Sequence, residues 1–171
     1  MKNVFNKLIL AVLTAALVFA SFPSTSAFAQ GQNPPKMTTA RMEEVWALQL
    51  NRYERIGILF NGSDARLARL QTRIDRAKAN GKDVTAVQTA LDNFTAALKN
   101  AKPIYASMNG LVNSHAGFDA NGKVTDTAQA KSTLQALHAK FAEIKSALGG
   151  TRQALHDALV AFRAANKPTG S

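Results

Sequence analysis

The chain contains no cysteine. That absence excludes a disulfide scaffold, a zinc site built on thiolates, a thiol nucleophile and a lipid attached to cysteine. Trp and Tyr are also scarce, with one Trp and two Tyr beside nine Phe, and only 11 acidic residues stand against 21 basic ones. The hydrophobic content of 46% excludes a disordered tail, and 171 residues suit one domain with a sizeable core.

The first 29 residues are typical of a secretory signal peptide. Lys2 and Lys7 form a positive n-region, residues 8–19 form an apolar run, and residues 27–29 (Ala-Phe-Ala) form a cleavage site. The run is shorter than the roughly 20 apolar residues that a membrane helix needs. We therefore expect export and cleavage after Ala29. The mature chain then keeps 19 basic and 11 acidic residues, a net charge of +8, and has no transmembrane segment.

The rest of the chain shows one repeated pattern. Residues 30–37 are polar with two prolines and predict a short linker, and residues 168–171 form a tail. Between them, apolar residues recur at alternating spacings of three and four, which is typical of helices that bury one stripe. The stripe positions are 42, 46, 49, 53, 56, 60, 63, 67, 70, 74 and 77 in the first segment, 87, 91, 94, 98, 101, 105, 108, 112 and 115 in the second, and 134, 137, 141, 144, 148, 151, 155, 158 and 162 in the third. The spacing predicts helices over about 39–79, 84–114 and 126–166. We predict an all-α fold, with residues 38–167 forming a single domain built as a long antiparallel three-helix bundle or coiled coil.

Glycines interrupt two of these predicted helices. Gly57 and Gly62 lie inside the first, and Gly149-Gly150 lies inside the third. Each costs about 1 kcal/mol relative to alanine in a helix interior. Because the apolar spacing passes both sites without a skip, we expect weakened but continuous helices.

Residues with capping side chains mark the predicted helix ends. Thr38 or Thr39 caps the first helix, and Asn80-Gly81 ends it, since both residues tolerate the left-handed conformation. Thr85 and Gln88 form a capping-box pattern at the second helix.

Two further caps complete the prediction. Asp83 competes with Thr85 as the cap of the second helix. Thr125 or Asp126 caps the third helix.

Four arginines, Arg66, Arg69, Arg73 and Arg76, form a row beside the apolar stripe of the first helix. No acid lies three or four positions from any of them, and Asp92 is the acid that a helical hairpin brings nearest to Arg69 or Arg73. Such a row favours an anionic partner: nucleic acid, an acidic wall polymer or a lipid surface. The lack of aromatic residues interleaved with the row argues against nucleic acid, because base stacking has no platform. The alternative is a solvated flank whose long side chains cover the stripe.

The loop between the second and third predicted helices matches the middle of a calcium loop. Asp119, Asn121 and Asp126 are the candidate oxygen ligands, but a glycine and an alanine stand where two key acidic ligands belong. The alternative is a tight turn packed on the end of the bundle. We predict no other metal site and no cofactor.

The histidines lack catalytic partners in the sequence. His138 and His156 share a face of the predicted third helix at about 27 Å separation, too far apart to bind one metal ion. His115 ends the second predicted helix, and no histidine has an evident acid or nucleophile beside it. We therefore predict that the protein is not an enzyme.

Two segments carry a resemblance to other proteins. Residues 81–83 (Gly-Lys-Asp) and 115–126 (HAGFDANGKVTD), with a long Ala-rich amphipathic helix after them, resemble a group of uncharacterised exported α-helical bacterial proteins. That group has a GKD-[ST] turn and a GFD-x-NGKVTD loop, and the resemblance covers roughly residues 65–165. Its members tend to carry an acid at the positions of Gln88 and Ala128. The resemblance implies a bundle, export and a shared loop, and no activity.

These features predict a binding or structural module of the cell envelope, located in the periplasm, on the cell wall or outside the cell. Its partner is a protein, or an anionic polymer or lipid surface recognised by the arginine row. An alternative is a structural coiled coil that forms homo-oligomers through a second apolar strip, Val45, Leu48 and Leu59. A third hypothesis, a metal- or stress-sensing periplasmic protein, depends on the loop alone.

Overall fold

A computed structural model describes residues 37–167 of the chain. The helices in this range are α1 (Thr39–Ala79), α2 (Thr85–Ser114), α3 (Thr127–Leu148) and α4 (Thr151–Ala165). The described residues form no strand, and one isolated bridge joins Phe118 and Val124. The predicted all-α bundle is therefore confirmed. The predicted signal peptide, the tail and all but the last residue of the predicted linker lie outside the described residues.

The helices pack side by side in an up-down-up order. A short turn joins α1 to α2, and Tyr53 of α1 stacks on Tyr105 of α2 with ring centroids 4.6 Å apart. The chain then returns along α2, so α3 runs parallel to α1, and Gln49 Nε2 donates a hydrogen bond to the carbonyl oxygen of Leu134 at 3.2 Å. α3 and then α4 form the third leg, and both pack against α2.

The predicted apolar stripe is the buried face of the bundle. Every stripe position is buried or half-buried except His115, which closes α2. α1 continues through Gly57 and Gly62, as predicted. Gly57 has a packing reason, because the hydroxyl of Tyr105 occupies the place where a Cβ would be.

The third predicted helix is wrong in one respect, because it is broken at Gly149-Gly150. Both glycines have left-handed backbone, with φ of +46° and +78°, a conformation that other residues rarely adopt. The N–H of Gly149 donates to the carbonyl oxygen of Lys145 and caps α3. The break keeps the register, so Leu148 and Leu155 still face the core. The apolar spacing therefore continues through the break and does not reveal it.

The predicted caps are partly confirmed. Thr38 caps α1 by accepting the N–H of Arg41, and Asp126 caps α3 by accepting two N–H groups of its first turn. The predicted capping box at α2 is wrong. Thr85 is already helical, and its N–H donates to Asp83 Oδ1 at 3.0 Å. Gln88 bonds with α1 rather than with its own helix end.

Two apolar clusters divide the bundle along its length. The loop-end core contains Met42, Trp46, Ile56, Phe60, Leu98, Ala101, Met108, Phe118, Ala130, Leu134, Leu137, Phe141 and Ile144. The turn-end core contains Ile74, Val84, Val87, Ala90, Leu91 and Leu155. α1 and α2 contribute to both cores, whereas α3 belongs to the first and α4 to the second. The Gly149-Gly150 break thus lies between the two cores.

Candidate functional site

The arginine row lies along one side of α1, in its second half. Spacings of three and four residues place Arg66, Arg69, Arg73 and Arg76 next to one another on the helix surface. Arg69 and Arg76 are exposed, and Arg66 and Arg73 are half-buried. The guanidinium of Arg66 lies over Gly62, where a Cβ would be 3.4 Å from its central carbon. The row therefore forms a continuous cationic ridge.

The charge of α1 changes halfway along the helix. Residues 41–65 contain three basic and four acidic residues, whereas residues 66–79 contain five basic residues and one acidic residue. Among residues 37–167, no ion pair involves Arg66, Arg69 or Arg76. A dense patch of one sign raises the local concentration of counter-ions and steers anions toward it.

The acids nearest the row are held by amides. Gln71 Nε2 donates to Gln88 Oε1 at 2.8 Å, and Gln88 Nε2 donates back to Gln71 Oε1 at 2.9 Å. The same two amide groups donate to Asp75 and Asp92, at 2.8 and 2.9 Å. Asp92, the acid expected near Arg69 or Arg73, thus bonds with Gln88 and forms no ion pair with Arg69. The amide pair joins α1 to α2 without neutralising Arg69.

A groove of about 400 Å³, including its open mouth, lies beside the row. α4 packs mainly on α2 and only sparsely on α1, and the groove is lined by all three helices and by the end of the turn before α2. Its apolar lining consists of Leu70, Ile74, Ala77, Val84, Val87, Leu159 and Phe162. Arg73 of the row and Arg163 of α4 also line it. The row and the groove therefore share a border at Arg73.

Arg163 is the site residue that the sequence did not predict. Its Nε and Nη2 atoms are buried, and neither has a hydrogen-bond partner within the described part of the chain. These two N–H groups form one edge of the guanidinium, the edge that can donate two parallel bonds to a carboxylate or phosphate. The only sequence signal is its place directly after Phe162, the last stripe residue. That position does not show that α4 leaves space beside α1.

The candidate calcium residues hold the loop together. Asp119 Oδ1 accepts the N–H groups of Asn121 and Lys123 at 2.8 Å each, and these donors, Lys123 first, hold the pKa of Asp119 below its usual range. The carboxylate of Asp126 accepts two N–H groups of α3. In the described range, no three His, Cys, Asp or Glu side chains are grouped so as to hold a metal ion. The hydrogen bonds favour the alternative interpretation of this segment, a tight turn.

The same loop is fastened to the start of α1. The ring of Phe118 stacks on Trp46 with centroids 4.6 Å apart. Glu43 accepts the Val124 N–H at 3.2 Å and the Lys123 ammonium at 2.8 Å. The hydrogen bond from Lys123 is the main reason why the pKa of Glu43 lies below its usual range. These contacts make the loop a closing structure for the loop-end core.

The three histidines lie apart. His115 has left-handed backbone, with φ of 34°, and its Nδ1 is 3.1 Å from the carbonyl oxygen of Phe118. His138 is exposed on α3, and His156 is half-buried on α4. The prediction that these two share one helix face is wrong, because the break at Gly149-Gly150 puts them on separate helices.

The second apolar strip proposed for self-association is mostly covered. Leu48 is 60% exposed, whereas Val45 packs against the loop-end core and Leu59 is half-buried. A further exposed apolar residue, Ile58, lies on another side of the helix because ten residues separate it from Leu48. The described part of α1 therefore presents single apolar side chains rather than a continuous strip.

The fold by itself does not identify a function, since helical bundles host many unrelated ones. Between residues 37 and 167, no helix has both the length and the apolar character that a membrane crossing requires. Comparison of the chain with protein-family models, curated proteins and solved structures gives no match.

Proposed function

We propose that the protein is an exported helical module of the cell envelope that binds an anionic polymer or lipid surface through Arg66, Arg69, Arg73 and Arg76. One observation carries the proposal: Arg66, Arg69 and Arg76 form no ion pair among the described residues, although they lie together on one ridge. Export depends on the leader pattern of residues 1–29. The proposed activity is binding and involves no chemical step.

The geometry of α1 supports recognition of a repeating anion. Arg66 and Arg76 are ten positions apart, which corresponds to about 15 Å along the helix axis. Each guanidinium presents a planar fork that matches the oxygens of a phosphate, sulfate or carboxylate. Because α1 continues into the loop-end core, the arginines are displayed on a rigid support. A linear polyanion or a plane of headgroups can contact several of them at once.

Binding to heparin and to anionic vesicles tests the proposal. The test variant is Arg66→Gln/Arg69→Gln/Arg76→Gln, and the matched control is Lys99→Gln/Lys131→Gln/Lys145→Gln. Both remove three positive charges from exposed or half-exposed positions on helices. We expect the wild-type protein to bind with an affinity that falls as salt increases. The affinity of the arginine variant should be lower by a factor of about ten or more. The lysine variant should lose much less affinity.

Two results would contradict the proposal. Equal losses in both triple variants would mean that net charge, and not the row, drives binding. Unchanged binding in the arginine variant would mean that the row has no part in it. Thermal unfolding controls for the fold, and the arginine variant should stay within about 0.5 kcal/mol of wild type, as surface substitutions usually do.

A further inference from the structure

We propose that the anionic ligand of α1 is a linear polymer rather than a lipid surface, and that Arg55 extends the binding face beyond the row. This inference rests on the function proposed above, because it uses the same side of α1. It adds the class of ligand, a further binding residue and a positioning residue. The positioning residue is Gly62, over which the guanidinium of Arg66 lies.

Arg55 lies on the same side of α1 as the row. It stands two heptads before Arg69 and three before Arg76, and positions seven residues apart on a straight helix drift by only about 20°. Arg55 is exposed, has no acidic residue three or four positions away and forms no ion pair in the described range. With Arg55 included, the cationic face is about 31 Å long along the helix axis, twice the length of the row.

The side chain of Arg66 narrows the gap between Arg55 and the row. The three atoms nearest to a Cβ built at Gly62 all belong to the Arg66 guanidinium, at 3.4–3.5 Å. The charge of Arg66 therefore lies about one turn before its own Cα, in the direction in which helical side chains point. A glycine inside a helix costs about 1 kcal/mol relative to alanine. At Gly62 the space left by the missing side chain holds a cation of the binding face.

The two acidic residues of this stretch bond on the side of α1 that faces α2. The carboxylate of Asp64 accepts the Lys102 ammonium of α2 at 2.7 and 2.8 Å. Asp75 accepts Gln71 Nε2 at 2.8 Å, and Gln71 also bonds with Gln88 of α2. Neither carboxylate forms an ion pair with Arg55, Arg66, Arg69 or Arg76 among the described residues. The positive charge of the face is therefore left for a ligand.

The narrow shape of the face favours a linear polymer. Ala65 and Thr72, the helix-surface neighbours of Arg69 on its solvent side, are exposed, small and uncharged. Ile58 is the one large apolar side chain that is exposed in the described stretch 55–76. A helix that lies on a membrane buries a whole apolar face, and one isoleucine does not form such a face. A narrow row of cations instead matches a chain of anionic groups, as in a polysaccharide with carboxylate or sulfate groups.

Heparin fragments of two lengths test how far the face extends. A tetrasaccharide is about as long as the row, and an octasaccharide is long enough to reach Arg55 as well. In calorimetry, the protein should bind the octasaccharide more tightly than the tetrasaccharide by a factor of about five or more.

The variant Arg55→Gln separates this contact from the larger number of ways in which a longer fragment can bind. It should lower the octasaccharide affinity by a factor of about three to five. The slope of log affinity against log salt should become shallower by about one, because one fewer counter-ion is released. Both quantities should stay unchanged for the tetrasaccharide. The control Lys99→Gln removes one exposed charge from α2 and should affect both fragments equally and little.

Two substitutions at Gly62 test the position of Arg66. Gly62→Gln puts a long side chain where the Arg66 guanidinium lies, whereas Gly62→Ala adds a Cβ at ordinary contact distance from it. Neither should lower the melting temperature, because both residues favour a helix more than glycine does. Gly62→Gln should nonetheless lower the octasaccharide affinity by a factor of about three, and Gly62→Ala should retain it.

Failure of this inference is distinguishable from failure of the proposed function. Binding to anionic vesicles that depends on the row, without binding to either fragment, would assign the face to a lipid surface and overturn the inference alone. If the triple variant Arg66→Gln/Arg69→Gln/Arg76→Gln binds fragments and vesicles as well as wild type does, both proposals are wrong. If only Arg55→Gln has no effect, or an equal effect on both fragments, the extension to Arg55 is wrong. Unchanged octasaccharide affinity in Gly62→Gln would remove the role of Gly62.

Discussion

The loop end and the turn end of the bundle share one apolar spacing and differ in what occupies it. At the loop end the core holds large side chains, among them Trp46, Phe60, Phe118 and Phe141. At the turn end the buried residues are aliphatic, and the half-buried Phe162 borders a groove. Large aromatic side chains bury the most surface. The loop end should therefore supply most of the stability of the fold.

The two ends also treat charge differently. At the loop end Glu43 pairs with Lys123 and, further along α1, Asp64 pairs with Lys102. At the turn end the exposed arginines Arg69 and Arg76 face solvent without an ion pair among the described residues. A protein that is held together at one end can keep uncompensated cations at the other. Large buried side chains and uncompensated positive charge are thus concentrated in different parts of this helical bundle.

The largest effect is expected when Phe141 is replaced by alanine. Phe141 is 2% exposed, and the guanidinium of Arg52 lies 4.3 Å from its ring centroid. Phe141→Ala leaves a cavity and should lower the free energy of unfolding by about 3–5 kcal/mol. Phe162→Ala is the matched change at the turn end, where partial burial predicts a loss of about 1–2 kcal/mol. Denaturant unfolding measures the free energy of unfolding of both variants. Equal losses would contradict the expected difference in stability between the two ends.

A smaller effect is expected at Gly117. Its φ is +87°, and a Cβ there would collide with the backbone nitrogen of Ala130. Gly117→Ala should lower the free energy of unfolding by about 2–3 kcal/mol, from left-handed strain plus the collision. Gly81→Ala is the control, since Gly81 has a similar φ of +71° with no atom within 4 Å of the added Cβ. Gly81→Ala should lower the free energy of unfolding by about 1 kcal/mol. If Gly117→Ala lowers it by no more than Gly81→Ala does, the loop can shift away from the added Cβ.

The smallest effect concerns pH. Hydrogen bonds from Lys123 hold the pKa of Glu43 and of Asp119 below their ordinary values of 4.5 and 3.8. Carboxylates with a lowered pKa in the folded state stabilise it above the unfolded pKa, and this contribution is lost as pH falls through the folded pKa. Stability should therefore decline below about pH 4.5. Glu43→Gln should show a smaller decline between neutral pH and about pH 3 in denaturant unfolding. An identical decline would show that this pair does not couple to folding.

The sequence predicted the bundle because burial of a helix face recurs at fixed spacing, and Trp46, Ile56 and Leu137 all lie on the predicted stripe. It did not predict the break at Gly149-Gly150, since the interruption leaves Leu148 and Leu155 on the same face. The local signal, two adjacent glycines, was present and was outweighed by the uninterrupted spacing. Continuous apolar spacing along a segment therefore does not show that the segment is one continuous helix.

The candidate site was predictable in part for a similar reason. The position of the arginine row follows from helical periodicity within α1 alone. The groove and the burial of Arg163 depend on how α4 lies against α1 and α2, which is a relation between distant segments. Neither Arg163 nor Phe162 carries a local pattern that reports this relation.

The break between α3 and α4 also allows the two helices to unfold separately. α4 has 15 residues and no side-chain cap at its start, a length at which an isolated helix is only marginally stable. Its backbone amides are therefore protected by contacts with the turn-end core, and not by continuity with α3. α4 can open as a separate local unit while the loop-end core stays folded. Its amide protons would then exchange with solvent faster than those of α3.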